Sequence, residues 1–173
     1  MTNLLANFLG TSDFSLSQQE ILVTEEQEWS IHFDGSSTFQ EGGIGVVLKS
    51  LVEEHTFTYK LCFACSNNEV EYETLVIGLK ASKRLGIKRL KVFGDSKLVI
   101  NQIEGTYRVK NPSLAAYKVI AQELMKHFTS IECKVINRNE NKLADSLASL
   151  ATESMLKRSE ERRVGKECRS RWS

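Results

Sequence analysis

Trp29–Ser37 reads WSIHFDGSS, a short alternation of apolar residues that runs into an aspartate and small residues. Trp29, Ile31 and Phe33 keep the two-residue period of a strand, and Gly35-Ser36-Ser37 is expected to turn the chain. Asp34 would then stand at the carboxyl end of an inner strand, where open α/β sheets place their chemistry. The remaining sequence becomes a search for carboxylates that can join it.

Downstream, IGVVLKS at about 43–49 and HTFTYKL at 55–61 read as two more strands. The second alternates Phe57, Tyr59 and Leu61 against Thr56, Thr58 and Lys60. Short connections make the first three strands an antiparallel meander. Ser66-Asn67-Asn68 supplies capping residues for a long helix, about 69–85, closed by Gly86. RLKVFG at 89–94 leads into Asp95 and a short helix at 96–104, with Ser96 as its cap. Gly105 to Pro112 reads as a loop, followed by a helix at about 113–128 and a strand at 130–136. A final helix at about 140–153 contains Asp145. The order βββ-α-β-α-α-β-α predicts an α/β fold: a five-stranded mixed sheet, an antiparallel meander plus parallel strands, with helices on both faces.

One of Glu69, Glu71 and Glu73 can complete the acidic set. At about 100° per residue, positions 69 and 71 point roughly 200° apart and cannot share a face. Glu71 lies four residues before Leu75 and seven before Gly78, on the stripe that should pack against the sheet. Glu69 and Glu73 fall towards Tyr72, Val76 and Lys80, expected to be the more exposed side, so Glu71 is the chosen partner. Four carboxylates at one sheet end repel unless cations neutralise them, and oxygen-only ligation selects Mg²⁺ or Mn²⁺ over zinc. Two such ions about 3.5–4 Å apart can activate a water and stabilise the leaving oxygen of a phosphodiester. Each acid alone has an ordinary explanation, a solvated helix surface or a turn. Their joint placement carries the reading.

Composition permits a nuclease without requiring one. The 173 residues suit one domain with a real core, and the net charge is +1. That balance is uneven: residues 1–28 carry −5, residues 29–157 carry +3 and residues 158–173 carry +3. A mildly basic middle that also contains the four acids suits a nucleic-acid partner. Cys62 and Cys65 form a lone CxxC, and without a second pair or a suitably spaced histidine it argues against zinc and for reduced structural thiols. No run approaches the roughly 18 apolar residues of a membrane span. MTNLLANFLG lacks the basic start and apolar core of a secretion signal, so an intracellular protein, cytoplasmic or nuclear, is expected, with no membrane partner.

Four blocks, HFDGSS, SNNEVEYETLVIGLKAS, VFGDSKLVINQI and NENKLADSLASLA, resemble the signature blocks of type 1 ribonuclease H, in order. Their style is most similar to ribonuclease H domains of plant gypsy-class long-terminal-repeat retrotransposons and their prokaryotic-like relatives. The resemblance covers about residues 29–153 and implies a ribonuclease H-like fold. It places the family's catalytic and metal-binding quartet on Asp34, Glu71, Asp95 and Asp145. It implies two Mg²⁺ ions, with Mn²⁺ able to substitute, and hydrolysis of the RNA strand of an RNA–DNA hybrid. The products would carry a 3′-hydroxyl and a 5′-phosphate. Gly35, Ser36 and Ser37 would lie against the RNA backbone, and Asn67 and Asn68 match paired asparagines that touch the hybrid's minor groove. Lys97 stands where many relatives have glutamine.

Two departures bear on substrate handling. Many relatives have a histidine in the loop before the last aspartate, whereas INRNENK has none; Arg138 is expected to contact phosphate there rather than shuttle a proton. The basic protrusion of some relatives is reduced to Gly105-Thr106-Tyr107-Arg108-Val109-Lys110, so hybrid binding should be weak and salt-sensitive.

Domain boundaries are expected at 1–28 for an acidic connector, 29–155 for the ribonuclease H domain and 156–173 for a disordered tail. Arg158-Ser159-Glu160-Glu161-Arg162 can be encoded by AGATCGGAAGAGCG, which resembles a common sequencing-adapter oligonucleotide, so 158–173 reads as translated adapter. The expected context is a retroelement polyprotein with reverse transcriptase and integrase portions, the isolated domain being monomeric. Two rivals remain: a catalytically silent nucleic-acid-binding module of the same fold, and another nuclease such as an integrase or proofreading exonuclease. The intact quartet argues against the first, and the NNEVEYE helix and acid order against the second.

Overall fold

The computed structural model describes residues 27–158. The acidic connector and the basic tail lie almost wholly outside those residues. Five strands form one sheet: β1 (Glu28–Ser37), β2 (Gly42–Lys49), β3 (Glu54–Leu61), β4 (Arg89–Gly94) and β5 (Ser130–Val135). The order across it is β3-β2-β1-β4-β5. The first three strands are antiparallel neighbours, while β4 runs parallel to both β1 and β5. Four helices complete the fold: α1 (Asn67–Arg84), α2 (Lys97–Ile103), α3 (Pro112–Met125) and α4 (Lys142–Arg158), the last entered through a 3₁₀ turn at Arg138–Asn141. This is the expected ribonuclease H-like α/β architecture.

Helices cover both faces. α4 lies across β1, β2 and β3, while α1 packs on the other face and is itself covered by α3. Trp29, Ile31 and Phe33 are buried on the α1 side, as their alternation requires. The small residues Ala144, Ala148 and Ala151 form the buried side of α4. Opposite them, a Cβ at Gly45 would run into the Ala144 carbonyl and lie 2.7 Å from Ala148 N. Helix backbone therefore rests directly on strand backbone. None of the helices is long and apolar enough to cross a membrane, among the described residues.

Three expectations need correction. Gly35-Ser36-Ser37 does not turn the chain: these residues continue β1, paired with Ile44, Gly43 and Gly42. Hairpin pairing to β2 holds them extended, and the turn follows, closed by Thr38 N–H donating to Glu41 O at 2.8 Å. The Tyr72–Val76 side of α1 is not exposed, because α3 packs there; every residue from Val70 to Leu79, Glu73 included, is buried. Pro112 belongs to α3 rather than to the loop, as its first residue, directly after the cap Asn111, whose side chain accepts from Ser113 N. Lys60, on the polar side of β3, is buried with its Nζ 2.7 Å from Glu41 Oε2.

Gly45→Ala should lower unfolding stability by about 1–3 kcal/mol, because the new methyl meets helix backbone rather than a movable side chain. Chemical denaturation should register this as a lower midpoint with an unchanged slope. An unchanged midpoint would mean that α4 does not sit this close to β2.

Candidate active site

β1 and β4 run in parallel, and their last paired residues are Phe33 and Gly94. The next residues are Asp34 and Asp95, so the parallel pairing delivers two carboxylates to one end of the sheet. Asp34 stays in β1 opposite Gly45, whereas Asp95 leaves the sheet and precedes Ser96. The Ser96 side chain caps α2 by accepting from Val99 N at 3.3 Å.

The third carboxylate comes from α1, whose first turn lies over the end of β1. A Cβ at Gly35 would be 2.9 Å from the Val70 carbonyl carbon and 3.0 Å from Glu71 N. Only glycine permits this approach, and from it the Gly35 N–H donates to the Glu71 carboxyl. Ligand oxygens of Asp34, Glu71 and Asp95 all lie within 4.8 Å of one another. Asp145, exposed in the first turn of α4, is not one of these three mutually close carboxylates. Its carboxyl shares a hydrogen bond with that of Asp34.

Burial, followed by the Asp95 charge, pushes the Asp34 carboxyl up to about 7. Burial, followed by the charges of Asp34 and Asp95, pushes Glu71 up to about 9. Glu71 Oε2 is buried without a hydrogen-bond partner. Arg138 places its Nε 3.8 Å from Asp95 Oδ2, but its side chain is 91% exposed, so its screening of the cluster is weak. A donor set of carboxylate oxygens, with one orphaned and two reluctant to ionise, fits a hard divalent cation.

The other residues singled out in the sequence lie around this trio. Ser36 and Ser37 are half-buried in β1, and Ser37 Oγ donates to Asn67 Oδ1, joining the end of β1 to the start of α1. Asn68 is the second residue of α1, and exposed Lys97 is the first of α2. Glu69 is occupied structurally, in a capping box with Ser66 and as acceptor from Ser113 Oγ. Sequence reading missed Asn141. This residue is 1% exposed and donates from Nδ2 to the Phe33 carbonyl at 2.9 Å. No sequence periodicity identifies such a contact, since it spans 108 residues.

A meander followed by βα units, with two parallel strands delivering aspartates to the same end of the sheet, defines the ribonuclease H-like class. Residues 32–151 match the family described as reverse transcriptase-like, and the chain belongs to that family. Among solved structures, the N-terminal RNase H domain of a bifunctional Mycobacterium tuberculosis protein superposes with a TM-score of 0.72 at 30% identity, covering 78% of this chain and 99% of that one. A compost-derived RNase H1 in complex with an RNA/DNA hybrid gives 0.66 at 26% identity, over 74% of this chain and 99% of that one. Ribonuclease HI of Halobacterium salinarum is 32% identical over 126 residues, 69% of this chain and 62% of that protein. The chain spans about a quarter, 24%, of the full mycobacterial protein, with 38% identity over 89 residues.

The raised carboxyls give stability a definite pH dependence. Between their unfolded values near 4 and their folded values of about 7 and 9, the folded state binds protons that the unfolded state does not. Without divalent ions, thermal stability should therefore fall as pH rises from about 4 to 9. Glu71→Gln should flatten this dependence and stabilise the ion-free protein by at least about 1 kcal/mol at pH 8, since even a tenfold tighter hold on a proton is worth about 1.4 kcal/mol. Thermal melts in chelator across this range check both expectations; a flat wild-type profile would contradict the clustering.

Proposed function

We propose that this domain hydrolyses the RNA strand of RNA–DNA hybrids with bound divalent metal. The reading rests on one observation above others: Asp34, Glu71 and Asp95 hold their carboxylate oxygens within 4.8 Å of one another, on three different elements. A fold does not by itself imply an activity, but this cluster carries its full charge near neutral pH only when cations offset it. Its relatives include a ribonuclease HI and an RNase H1 captured with a hybrid, the same chemistry that the cluster suits.

Asp34, Glu71, Asp95 and Asp145 are the proposed ligands, for two Mg²⁺ ions with Mn²⁺ as a substitute. Such ions lower the pKa of a bound water and offset charge on the leaving oxygen. The protein's own part is placement. Buried Asp34 and Glu71 are fixed by strand and helix backbone, so their oxygens need little reorganisation. Asp95 is largely shielded as well, and exposed Asp145 faces solvent.

Gly35, Ser36, Ser37, Asn67, Asn68, Lys97 and Arg138 are proposed as the substrate-contacting rim. The Ser37–Asn67 hydrogen bond presents a hydroxyl and an amide together beside the acids, suited to sugar hydroxyls that distinguish RNA from DNA. Arg138 and Lys97 supply positive charge for phosphates. We further infer that the domain comes from a retroelement polyprotein, in keeping with its reverse transcriptase-like family, and that it acts as a monomer.

The full chain with Mg²⁺ and an end-labelled hybrid provides the test. RNA-strand cleavage should occur, duplex DNA should persist, and Asp95→Asn should reduce the rate by at least about a hundredfold, as expected when a metal ligand loses its charge. A folded, Mn²⁺-binding protein that leaves the hybrid intact at low salt would instead favour the silent binding module. Equal activity in Asp95→Asn would remove the cluster from the reaction.

A further inference from the structure

We infer that Asn141 is a positioning residue that locks the β1 carboxylate to the α4 carboxylate, an inference that rests on the proposed metal-dependent hydrolysis. Asn141 ends the 3₁₀ turn and immediately precedes α4, whose first turn contains Asp145. Its Nδ2 donates to the carbonyl of Phe33, the residue before Asp34. One amide therefore connects the backbone beside Asp34 to the start of the helix that presents Asp145.

Several features mark this contact as built. Asn141 is buried almost completely, and burying an amide is costly unless the gain depends on its hydrogen bonds. Its Oδ1 has no hydrogen-bond partner, so the side chain is retained with only part of its capacity used among the described residues. The bond also sits where support from the sheet ends: Phe33 pairs with Gly94, after which β4 departs and Asp34 has β2 alone. The preceding turn is anchored separately, by a capping box in which Asn137 Oδ1 accepts from Glu140 N and Glu140 Oε2 accepts from Asn137 N. That box shapes the turn. Asn141 ties the turn to the sheet.

Without the amide, α4 would still pack on the sheet through Gly43 and Gly45 of β2 and its own alanine stripe, so the fold should persist. What should loosen is the relative placement of Asp34 and Asp145, and with it cation affinity and the chemical step. Substrate grip should change little, because Asn141 is inside the protein and the one rim residue on its turn, Arg138, lies within the separate Asn137–Glu140 capping box. A merely structural asparagine would lower stability alone.

Asn141→Leu keeps approximate shape and removes the donor; Asn141→Ser is a milder second variant that retains a hydroxyl. Phe128→Leu, a core substitution at the opposite end of the sheet, serves as a comparison for lost stability. The full chain is assayed for Mn²⁺ binding by calorimetry at fixed pH and for kcat and KM on a labelled hybrid. For Asn141→Leu, Mn²⁺ affinity should fall at least threefold and kcat at least tenfold, with KM within twofold; Asn141→Ser should fall between it and wild type. Phe128→Leu should leave affinity and kcat unchanged even at an equal loss of melting temperature. Wild-type Mn²⁺ affinity in a folded Asn141→Leu, or in Asn141→Ser where the leucine variant does not fold, would overturn the inference. So would equal losses in Phe128→Leu. If the wild-type protein binds Mn²⁺ but cleaves nothing, the hydrolase reading fails while the Mn²⁺ comparison still decides the role of Asn141.

Discussion

The site depends on holding like charges together away from water. Asp34 and Glu71 are buried, Asp95 lies beside them, and both buried acids are driven towards their protonated forms by that placement. Isolated carboxylates would separate or rotate into solvent, where hydration is worth more than any contact among themselves. Here separation is resisted by backbone. Asp34 is held in a hydrogen-bonded strand, and Glu71 belongs to a helix buried on all sides from Val70 to Leu79. The packing of the domain thus opposes an electrostatic penalty that is confined to a few side chains. A cation would remove the penalty without moving the packing.

This arrangement is achieved largely by omitting side chains. Gly35 admits α1 at the end of β1, and the Gly43–Gly45 segment admits the alanine side of α4 on the opposite face. Two helices therefore approach the same region of β1 and β2 from opposite sides at near backbone contact. Larger residues would hold each helix farther out and carry Glu71 or Asp145 away from Asp34. Close approach is consequently a requirement of the site as much as of the core. The buried hydrogen bond from Tyr72 to Gln102, 2.8 Å long, adds a cross-tie between α1 and α2, the elements adjoining Glu71 and Asp95.

Strong local periods made most of the fold legible in the sequence. The alternation of Trp29, Ile31 and Phe33, the capping residues before α1 and the Gly86 stop after it all act within a few residues, and they mark the elements correctly. The helical-angle argument selected Glu71, which the structure places beside Asp34. That argument assumed, however, that an amphipathic helix has one wet side, and α3 removes it. The expected turn at Gly35-Ser36-Ser37 failed for a related reason: small residues favour turns locally, but pairing with Gly42–Ile44 extends them. Asn141 was invisible because polar residues near helix starts normally cap, whereas this one reaches across the molecule.

The loop before Asp145 carries Arg138 and no histidine, which bears on what this domain can do with protons. An arginine remains charged throughout the usable pH range, so Arg138 cannot accept a proton from a reacting group or return one. It can hold phosphate, and its exposed, 3.8 Å approach to Asp95 leaves it free to do so once that carboxylate is otherwise neutralised. In the proposed hydrolysis, proton transfer would then fall to water and to the carboxyls themselves. Asp34, pushed up to about 7 by burial and its neighbours, changes charge near physiological pH. The same interaction that makes the acids difficult to charge therefore also sets the pH at which they can take up a cation.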